Sequence, residues 1–434
     1  MKTLIKVLSD DIANLDIDIS SFVIKKVVMN TKDVEKNSLF FAINNGNNYI
    51  QEALDKGASL VVCDKNPNIN RSNILVVPDT ILFMQNLASR YRKALGLKII
   101  TITGSNGKTT TKDIVFSILK EKFSVSKTQG NYNNHIGVPY TILQLTEKDE
   151  IAVLELGMSD LGEIDLLTQI SAPDYGIITN IGDSHLEFLK SRENVFKAKS
   201  EMAKYLSPNH LILFGDDPFL KDISGIKIGF GDNNHKIITD YKDDHNGLSF
   251  SINHTSNFYV KLNGIHNCLN VAMAVAISKL LGLNDNEISQ GLKNMIITPM
   301  RFEKIEKNNI LYINDAYNAS PISMEYSINT FSTLYNDNNH LKIAILGDML
   351  ELGKTEISFH KDILEKALKL QIDLIYLYGP RMKEALSQID NFHNKILHFT
   401  DKNQIKTVIN SLNDSFKPVI LLKGSRGMKM EEII

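Results

Sequence analysis

The segment Lys98–Thr103 restricts the possible folds of this chain more than any other. Its residues are mostly apolar or β-branched without regular alternation, which is typical of a parallel strand covered on both faces. A glycine-containing turn follows, and residues 110–122 then place their apolar side chains on one stripe of a helix. Because parallel strands need crossover connections and covering helices, the segment predicts an α/β fold with a doubly wound parallel sheet.

The same alternation of strands and helices predicts three domains, in agreement with 434 residues at about 150 residues per domain. Residues 1–82 predict a small N-terminal α/β domain, residues 83–300 the central doubly wound domain, and residues 301–434 a C-terminal Rossmann-like α/β domain. The predicted strands span residues 22–29, 38–43, 59–63, 74–77, 98–103, 151–155, 175–180, 211–214, 310–314, 342–346, 374–378 and 419–422. The predicted helices span residues 51–56, 87–95, 110–122, 194–205, 267–281, 323–333, 358–370 and 401–412.

Composition and charge exclude several classes of protein. With 43% hydrophobic and 23% charged residues, the chain is neither disordered nor collagen-like. Its formal net charge of −2 provides no long-range positive field, so we expect no nucleic-acid partner and no attachment to an anionic membrane. No apolar run approaches the roughly 18 residues of a membrane span, and Asp10 and Asp11 come too early for a signal peptide. Cys63 and Cys268 lack metal-ligand spacing, as expected in a reducing cytoplasm.

The turn after residue 103 has the composition of a phosphate-binding loop. Its glycines allow successive backbone N–H groups to point at phosphate oxygens, and the helix N-terminus adds partial positive charge. Lys108 would neutralise the terminal phosphates, and the hydroxyl of Thr109 would bind magnesium. The loop is shorter by two residues than the standard spacing, which would place its first glycine at Ile102. A plain glycine turn would not explain Gly-Lys-Thr at a strand–helix junction, so we predict nucleotide binding by Gly104, Ser105, Asn106, Gly107, Lys108, Thr109 and Thr110.

Three further side chains could carry chemistry, although the residues alone do not decide their roles. Glu155 ends the strand 151–155, where its carboxylate could bind magnesium, cap a helix or remain solvated. His185 lies in a loop after the strand 175–180, where a lone histidine is usually a surface group. Lys199 lies in the helix 194–205, where lysine usually faces solvent.

Two polar residues lie near the start of the C-terminal domain. Arg301 could be a hinge residue or an ion-pair partner, or its guanidinium could bind a phosphate. Asp315 follows the strand 310–314, a position that suits an acceptor for ribose hydroxyls. The sequence does not choose between these alternatives.

Several motifs in a fixed order resemble the ATP-dependent Mur ligases. They are TGSNGKTTTKD (103–113), GNYNNHIGVP (130–139), LELG (154–157), HLE (185–187), KAKSE (197–201) and GIHNCLN (264–270). Three further motifs resemble one member of that family, the ligase that joins D-Ala-D-Ala to UDP-N-acetylmuramoyl tripeptide. They are INDAYNASPISM (313–324), ILGDMLELG (345–353) and KGSRGMKME (423–431). Residues 30–43 are weakly similar to the uridine-binding domain of that member.

The resemblance implies an amide ligase of peptidoglycan precursor synthesis, with UDP-N-acetylmuramoyl tripeptide and D-Ala-D-Ala as partners and a monomer as the expected state. ATP would phosphorylate the terminal carboxylate of the tripeptide, and the amine of the dipeptide would attack the resulting acyl phosphate. The implied catalytic residues are Lys108, Glu155, His185 and Lys199. Two Mg²⁺ ions are implied, with Lys199 carbamylated to supply an anionic oxygen, and their ligands are Thr109, Glu155, His185 and Lys199. The three domains would bind the UDP-linked substrate, ATP and the dipeptide, respectively.

The resemblance also assigns contacts around ATP and the dipeptide. Adenine-side contacts are expected of Asn267 and of Asn133 or Asn134, with Asn134 as our choice. The residues that reach the nucleotide from the C-terminal domain are expected to be Arg301 and Asp315. Dipeptide recognition is expected of Tyr317, Asn318 and Pro321, with Lys423, Ser425 and Arg426 as further candidates.

The sequence departs from the family pattern in places, and other functions stay open. Asn30-Thr31-Lys32 replaces the usual Asp-Ser-Arg, and Lys190 occupies a position usually held by glycine. Another Mur-type ligase, such as the enzyme adding the third residue or a folate-polyglutamylating enzyme, would share the phosphate loop and metal ligands. Only residues 317–324 and 347–353 argue against such a ligase. A nucleotide-dependent switch would instead use ATP only to change shape.

Overall fold

The structure is a computed structural model that describes residues 1–11, 22–336, 340–390, 395–412 and 417–434. Within these residues the strands form sheets of four, nine and six strands, one in each of three α/β domains. Helices cover the sheets, so the predicted α/β fold with three domains is confirmed. None of the helices in the described segments combines the length and apolar character needed to cross a bilayer.

The N-terminal domain is built on a parallel sheet whose strands pair in chain order. It contains α1 (Lys2–Asp11), β1 (Lys26–Val28), β2 (Ser38–Phe41), α2 (Ile50–Asp55), β3 (Ala58–Cys63) and β4 (Ile74–Val76). These elements confirm the predicted strands and helix, although β1 is shorter than expected and α1 has no counterpart among the predictions. Leu39 and Phe41 of β2 belong to the core shared with the central domain, whereas Phe40 packs on the opposite face with α2.

The central domain contains the longest run of alternating strands and helices. Its elements are α3 (Thr80–Leu95), β5 (Lys98–Thr103), α4 (Lys108–Leu119), β6 (Val125–Lys127), α5 (Gly137–Gln144), β7 (Ile151–Glu155), α6 (Glu163–Ser171), β8 (Tyr175–Ile178), α7 (Leu186–Leu189), α8 (Arg192–Ser200), β9 (Leu211–Phe214), β10 (Ile226–Gly229), β11 (Lys236–Asp244), β12 (Gly247–Ile252), β13 (Ser256–Val260), α9 (Ile265–Leu280) and α10 (Asp285–Lys293).

The strand order of the central sheet determines where a ligand would bind. The order is β13-β12-β11-β10-β9-β8-β5-β7-β6, and the strands from β6 to β11 pair in parallel. The chain direction across the sheet reverses at β5, which lies between β7 and β8. In doubly wound sheets the ligand crevice lies at this point, beyond the carboxyl ends of the strands. The loop after β5 is therefore at the crevice.

The C-terminal domain is a second open sheet in the order β14-β15-β19-β16-β17-β18. Its pairing is parallel except for β14, which joins β15 through a turn where Asn308 and Asn309 have positive φ. The predicted strands and helices are confirmed, and β14, β18 and α13 are additional to them. Its elements are β14 (Glu303–Lys307), β15 (Ile310–Asn314), α11 (Pro321–Thr333), β16 (His340–Gly347), α12 (Glu356–Lys369), β17 (Leu374–Tyr378), α13 (Pro380–Leu386), β18 (Ile396–Phe399), α14 (Lys402–Asn410) and β19 (Lys417–Lys423).

Candidate active site

The loop between β5 and α4 is shaped by its glycines. Gly104 has φ 142°, and a Cβ there would lie 1.9 Å from the hydroxyl of Thr179. Gly107 has φ 81°, and a Cβ there would lie 2.6 Å from Oδ1 of Asn270. Both positions therefore require glycine, because the backbone is left-handed and the neighbouring side chains leave no room. The resulting loop ends on the N-terminus of α4, which is a suitable anion site.

Hydrogen bonds to the segment after β8 hold this loop in place. The carbonyl of Asn106 accepts from Thr179 at 2.5 Å and from the Asn180 amide at 3.0 Å. The backbone N–H of Asn106 donates to Oδ1 of Asn180 at 3.1 Å. The hydroxyl of Ser105 accepts from the N–H of Gly182 at 2.8 Å. The loop is therefore organised by the protein itself, as electrostatic stabilisation of phosphates requires.

Two lysines lie close to this loop, the half-buried Lys108 and the buried Lys199. Nζ of Lys108 donates to the carbonyl of Gly104 at 2.8 Å. Burial lowers the pKa of Lys108, and the nearby charge of Glu155 partly offsets that effect. Lys199 is only 1% exposed in α8, and burial together with the charge of Lys108 places its pKa well below the usual value. None of the described carboxylates forms an ion pair with Lys199. A lysine in such surroundings favours the uncharged amine.

Glu155 at the carboxyl end of β7 and Thr109 in the first turn of α4 form a buried polar pair. The hydroxyl of Thr109 donates to Oε2 of Glu155 at 2.8 Å, and the amide of Asn133 donates to Oε1 at 2.9 Å. Nη2 of Arg301 donates to the Thr109 hydroxyl at 2.9 Å. A hydroxyl and a carboxylate at this separation are hard oxygen ligands of the kind that Mg²⁺ prefers. The donor set therefore fits a magnesium ion.

His185 makes its contact with the C-terminal domain. It precedes α7 with φ 55°, and its Nδ1 lies 2.9 Å from Oε2 of Glu351. The histidine lowers the pKa of Glu351, chiefly through hydrogen bonding. Across the described segments, no group of three or more His, Cys, Asp and Glu side chains is close enough to hold a metal ion. The structure thus brings Thr109 and Glu155 into contact, but shows no contact between His185 and either of them.

Arg301 links the two larger domains. Besides its bond to Thr109, its guanidinium lies 4.0 Å from the ring centroid of Tyr317, a cation–π contact. Its neighbours Met300 and Phe302 both have positive φ, 63° and 56°. Left-handed backbone at residues other than glycine costs energy and is concentrated at functional sites. The strained backbone of residues 300–302 thus carries Arg301, whose guanidinium reaches Thr109 at the start of α4.

Asp315 lies at the carboxyl edge of the C-terminal sheet and is already paired. It accepts a hydrogen bond from Nζ of the buried Lys423 at 2.7 Å, another from the backbone N–H of Phe302 at 3.1 Å, and a third from Ser327. Burial lowers the pKa of Lys423, while Asp315 opposes that shift. Burial also lowers the pKa of the nearby His266 to about 4, so this histidine is neutral. Asp315 therefore connects elements of its own domain.

The asparagines expected near adenine have structural partners. Oδ1 of Asn134 accepts from the N–H groups of Ile136 and Gly137, at 3.1 and 2.9 Å, at the start of α5. Asn133 is the member of this pair that contacts Glu155. Asn267 is buried and accepts from Asn270, whose own Oδ1 receives the hydroxyl of Thr111. Asn267 thus supports the phosphate-loop helix through an intermediate side chain.

The residues expected to recognise the dipeptide lie at or after the carboxyl ends of the adjacent strands β15 and β19. Tyr317 packs under Arg301, Asn318 is exposed and Pro321 begins α11. The hydroxyl of the buried Ser425 accepts from the N–H of Leu350 at 2.9 Å. Nη1 of the exposed Arg426 lies 2.7 Å from Glu431.

Sequence reasoning missed several residues of the site. Ser320 of the C-terminal domain donates to Oδ1 of Asn106 at 2.9 Å. Glu351 contacts His185, as described above. Asn133 is expected as the alternative to Asn134 on the adenine side, and the structure shows it in contact with Glu155. Each missed residue lies inside a quoted motif, so the motifs mark the segments although they do not show which side chains meet.

Comparisons with known proteins agree with this architecture. The model of the Mur ligase middle domain matches residues 102–278, and that of the Mur ligase glutamate ligase domain matches residues 300–426. A curated relative from Bacillus subtilis (strain 168) is 37% identical over 429 residues, covering 95% of this chain and 93% of its own length. The chain therefore belongs to the Mur ligase family.

The relatives are more specific than the family. The Bacillus subtilis protein is named UDP-N-acetylmuramoyl-tripeptide–D-alanyl-D-alanine ligase. The crystal structure of MurF from Acinetobacter baumannii superposes with a TM-score of 0.87 at 28% identity, covering 100% of this chain and 97% of that chain. The MurF ligase from Thermotoga maritima, in complex with ADP, gives a TM-score of 0.81 at 29% identity, covering 94% and 96%.

Proposed function

We propose that this chain is an ATP-dependent ligase that joins D-Ala-D-Ala to the terminal carboxylate of UDP-N-acetylmuramoyl tripeptide in peptidoglycan precursor synthesis. The observation that carries the proposal is the contact of Thr109 with both Glu155 and Arg301. This contact supports the proposal because it joins the first turn of α4, a carboxylate at the end of β7 and a cation from the C-terminal domain. Full-length similarity to ligases of this specificity supports the choice of substrates.

The reaction requires activation of an unreactive carboxylate. A tripeptide carboxylate oxygen takes the γ-phosphoryl group of ATP, which gives an acyl phosphate and ADP. The dipeptide amine then attacks the carbonyl carbon, a C–N bond forms, a proton is lost and phosphate leaves. Backbone N–H groups of residues 104–107 would bind the phosphates, and Lys108 would neutralise their charge. Arg301 would add positive charge from the other side of the crevice.

Magnesium would be held by side chains at the carboxyl ends of the central strands. Thr109 and Glu155 would hold one ion, and His185 with carbamylated Lys199 would hold a second. Bound Mg²⁺ would supply neutralisation of the charge on the phosphates. The nucleotide pocket would also include Thr110, Asn134, Asn267 and Asp315, because each lies on, or is hydrogen-bonded to, a segment that carries one of the residues named above.

The surroundings of Lys199 support its carbamylation. Its amine is buried without a described carboxylate partner, and its low pKa favours the uncharged form. An uncharged amine adds to carbon dioxide, forming an N–C bond and releasing one proton. The product is an anionic carbamate, whose oxygens are suitable magnesium ligands. Carbamylation would therefore convert a repelled cation into a ligand.

The domain organisation follows from this chemistry. We place the boundaries near residues 82 and 300, and assign the UDP-linked substrate to the N-terminal domain and the dipeptide to the C-terminal domain. Tyr317, Asn318, Pro321, Lys423, Ser425 and Arg426 are the proposed dipeptide side of the crevice. Facing domains would exclude water, which would otherwise hydrolyse the acyl phosphate. We propose a monomeric enzyme of the cytoplasm, where ATP is available.

A substrate-exchange assay tests the proposed specificity. Purified protein is incubated with ATP, Mg²⁺ and UDP-N-acetylmuramoyl tripeptide, and phosphate release is measured with D-Ala-D-Ala and, separately, with free diaminopimelate or glutamate. We expect phosphate and amide product in equal amounts when the dipeptide is the added amine, and neither product with the free amino acids. Release that required a free amino acid instead would assign the chain to another Mur-type ligase. Nucleotide-dependent binding of a partner without amide formation would favour the switch.

A second assay tests the carbamate. Lys199→Ala should abolish amide formation, and a small added carboxylate such as acetate should restore part of it by providing the missing oxygen ligand. Lys197→Ala is the matched control, because Lys197 lies on the same helix but is exposed. A fully active Lys199→Ala enzyme would remove the carbamate from the mechanism.

A further inference from the structure

The segment after β16 projects from the C-terminal domain onto the loop that carries His185. Besides the 2.9 Å approach of Glu351 Oε2 to His185 Nδ1, the carbonyl of Glu351 accepts from the N–H of Glu187 at 3.1 Å. A Cβ on Gly353 would lie 3.2 Å from the Cα of Glu187, which shows how closely the two backbones approach. Side-chain and backbone contacts therefore join these loops across the domain boundary.

The residues before Glu351 are fixed by their own domain. The buried carboxylate of Asp348 accepts from the N–H of Met382 at 2.9 Å, at the start of α13. The N–H of Met349 donates to Nε2 of His360 at 2.8 Å, and that of Leu350 donates to Ser425 at 2.9 Å. Three successive residues are thus tied to the C-terminal domain, and the next one is Glu351. Supporting contacts of this kind give a functional side chain a defined position.

The two residues that meet across the boundary both have left-handed backbone. His185 has φ 55° and Glu351 has φ 64°, and neither is a glycine. Such strain persists where the surrounding structure enforces it, and it is concentrated at functional sites. The Glu351 side chain is 52% exposed, so its substitution removes little packing.

The orientation of the His185 ring suggests what the contact with Glu351 does. Nδ1 of His185 is buried and lies 2.9 Å from Oε2 of Glu351, which is its nearest charged group among the described residues. Metal-binding histidines commonly hold the other ring nitrogen against a carboxylate, which fixes the tautomer and the ring direction. We propose that Glu351 is a positioning residue that holds His185 with Nε2 available to the second divalent cation. This inference depends on the metal role of His185 in the proposed function.

The proposal has a consequence for the order of events. Glu351 belongs to the C-terminal domain, whereas His185, Glu155 and Thr109 belong to the central domain. The histidine ligand is therefore fully oriented when the domains are in contact as they are here. Affinity for the second ion and domain contact are then coupled, because each favours the other.

Mn²⁺ binding to the full-length protein tests the inference directly. Mn²⁺ is titrated in the presence of a non-hydrolysable ATP analogue, free Mn²⁺ is measured by electron paramagnetic resonance, and pulsed methods detect nitrogen coordinated to the bound metal. We expect the wild type to show a histidine nitrogen coupling. Glu351→Ala should weaken binding of that ion by about 10- to 100-fold, with Glu351→Gln intermediate because it keeps the shape but loses the charge. The other ion should bind as in the wild type.

Glu187→Gln is the matched control. Glu187 is exposed, carries the same charge in the same interface and contacts Glu351 through its backbone. Its substitution should leave Mn²⁺ affinity within about twofold, because no described contact joins its carboxylate to His185. Circular dichroism confirms folding of each variant.

The possible outcomes separate the inference from the function it depends on. Nitrogen coupling in the wild type with unchanged Mn²⁺ affinity in Glu351→Ala and Glu351→Gln would overturn the positioning role alone. Tighter binding in Glu351→Ala would also overturn it, since Glu351 would then compete with the metal for the histidine. Absence of nitrogen coupling in the wild type would remove His185 as a ligand, and the inference with it, while the substrate-exchange assay would still judge the ligase.

Discussion

Asp113→Asn tests whether a buried cluster of charges holds the segment before Arg301 against helix α4. Asp113 lies in α4 and is 0% exposed. Its carboxylate accepts from Nζ of Lys127 at 2.6 Å, and from the N–H and hydroxyl of Thr298 at 2.9 and 2.7 Å. Nζ of the buried Lys112 lies 3.5 Å away. Because Thr298 precedes Arg301 by three residues, the cluster fixes the linker close to the point where Arg301 leaves it.

The magnitude follows from the charges left behind. Asparagine has the same shape as aspartate, but it leaves the ammonium groups of Lys112 and Lys127 without their counter-charge. Removing one partner of a buried ion pair costs about 3–5 kcal/mol of unfolding free energy. For a cooperative unit of about 200 residues, each kcal/mol shifts the Tm by about 2–4 °C. We therefore expect the Tm to fall by roughly 6–20 °C.

Calorimetry at several pH values provides the assay. Burial alone would raise the pKa of Asp113, but the charges of Lys112 and Lys127 and the hydrogen bond from Thr298 outweigh it and hold the pKa below its usual range. A depressed folded-state pKa means that the stabilisation is complete above the unfolded-state pKa and is lost as the pH falls through the folded-state pKa. The difference between wild type and variant should be constant near neutral pH and shrink below about pH 4.

An exposed pair in the same domain supplies the control. Asp285 lies 2.7 Å from Lys279, and both side chains are largely solvent-accessible. Asp285→Asn should cost about 0–1 kcal/mol, the usual worth of a surface ion pair. The reasoning is refuted if Asp113→Asn destabilises the protein no more than Asp285→Asn. It is also refuted if acid leaves the difference between wild type and Asp113→Asn unchanged.

Two further predictions concern the site and the backbone near it. Arg301→Ala should lower kcat/KM for ATP by about 10- to 100-fold, which corresponds to the free energy of a charged hydrogen bond. Arg301→Lys should recover only part of the lost kcat/KM, because lysine lacks the planar guanidinium. Equal kinetics for the wild type and both variants would contradict this prediction. Lys190→Gly should raise the unfolding free energy by about 0.5–1 kcal/mol, because Lys190 has φ 68° and glycine carries no left-handed penalty. Thermal denaturation measures the latter, with Lys190→Ala as the control that retains the strain.

The sequence predicts most of the parallel strands, because they are covered runs of apolar residues, but it does not predict β6, β10 or β18. Lys98–Thr103 and Ile151–Glu155 have the predicted bounds, since their neighbours in the chain are turns. The hairpin of β12 and β13 is not predicted, because its strands are partly polar. It turns at Asn253 and His254, both with positive φ, a signal that periodicity does not register. The Mur ligases that this chain resembles usually have glycine at position 190. The positive φ of Lys190 gives a physical reason for that preference, because glycine adopts this conformation without strain.

The candidate site is predictable to the extent that it is local. The predicted phosphate loop follows β5 and Glu155 ends the adjacent parallel strand β7, so topology sets both positions at the carboxyl edge of the sheet. Topology does not determine whether Asn133 or Asn134 reaches Glu155. Both residues precede the same helix, and only the local backbone direction decides which side chain makes the contact. The burial of Lys199 is likewise a property of packing around α8, which its Lys-rich sequence does not show.

The contacts that no local pattern predicts share a physical cause. Ser320 meets Asn106, Glu351 meets His185, and Arg301 reaches the phosphate-loop helix. In each case a residue at the carboxyl edge of one sheet meets a residue at the carboxyl edge of the other. Such contacts exist only when the two edges face each other, so they depend on domain orientation rather than on the conformation of either segment. Since the same facing edges would exclude water from the acyl phosphate, the least predictable contacts are those that would connect domain position to chemistry.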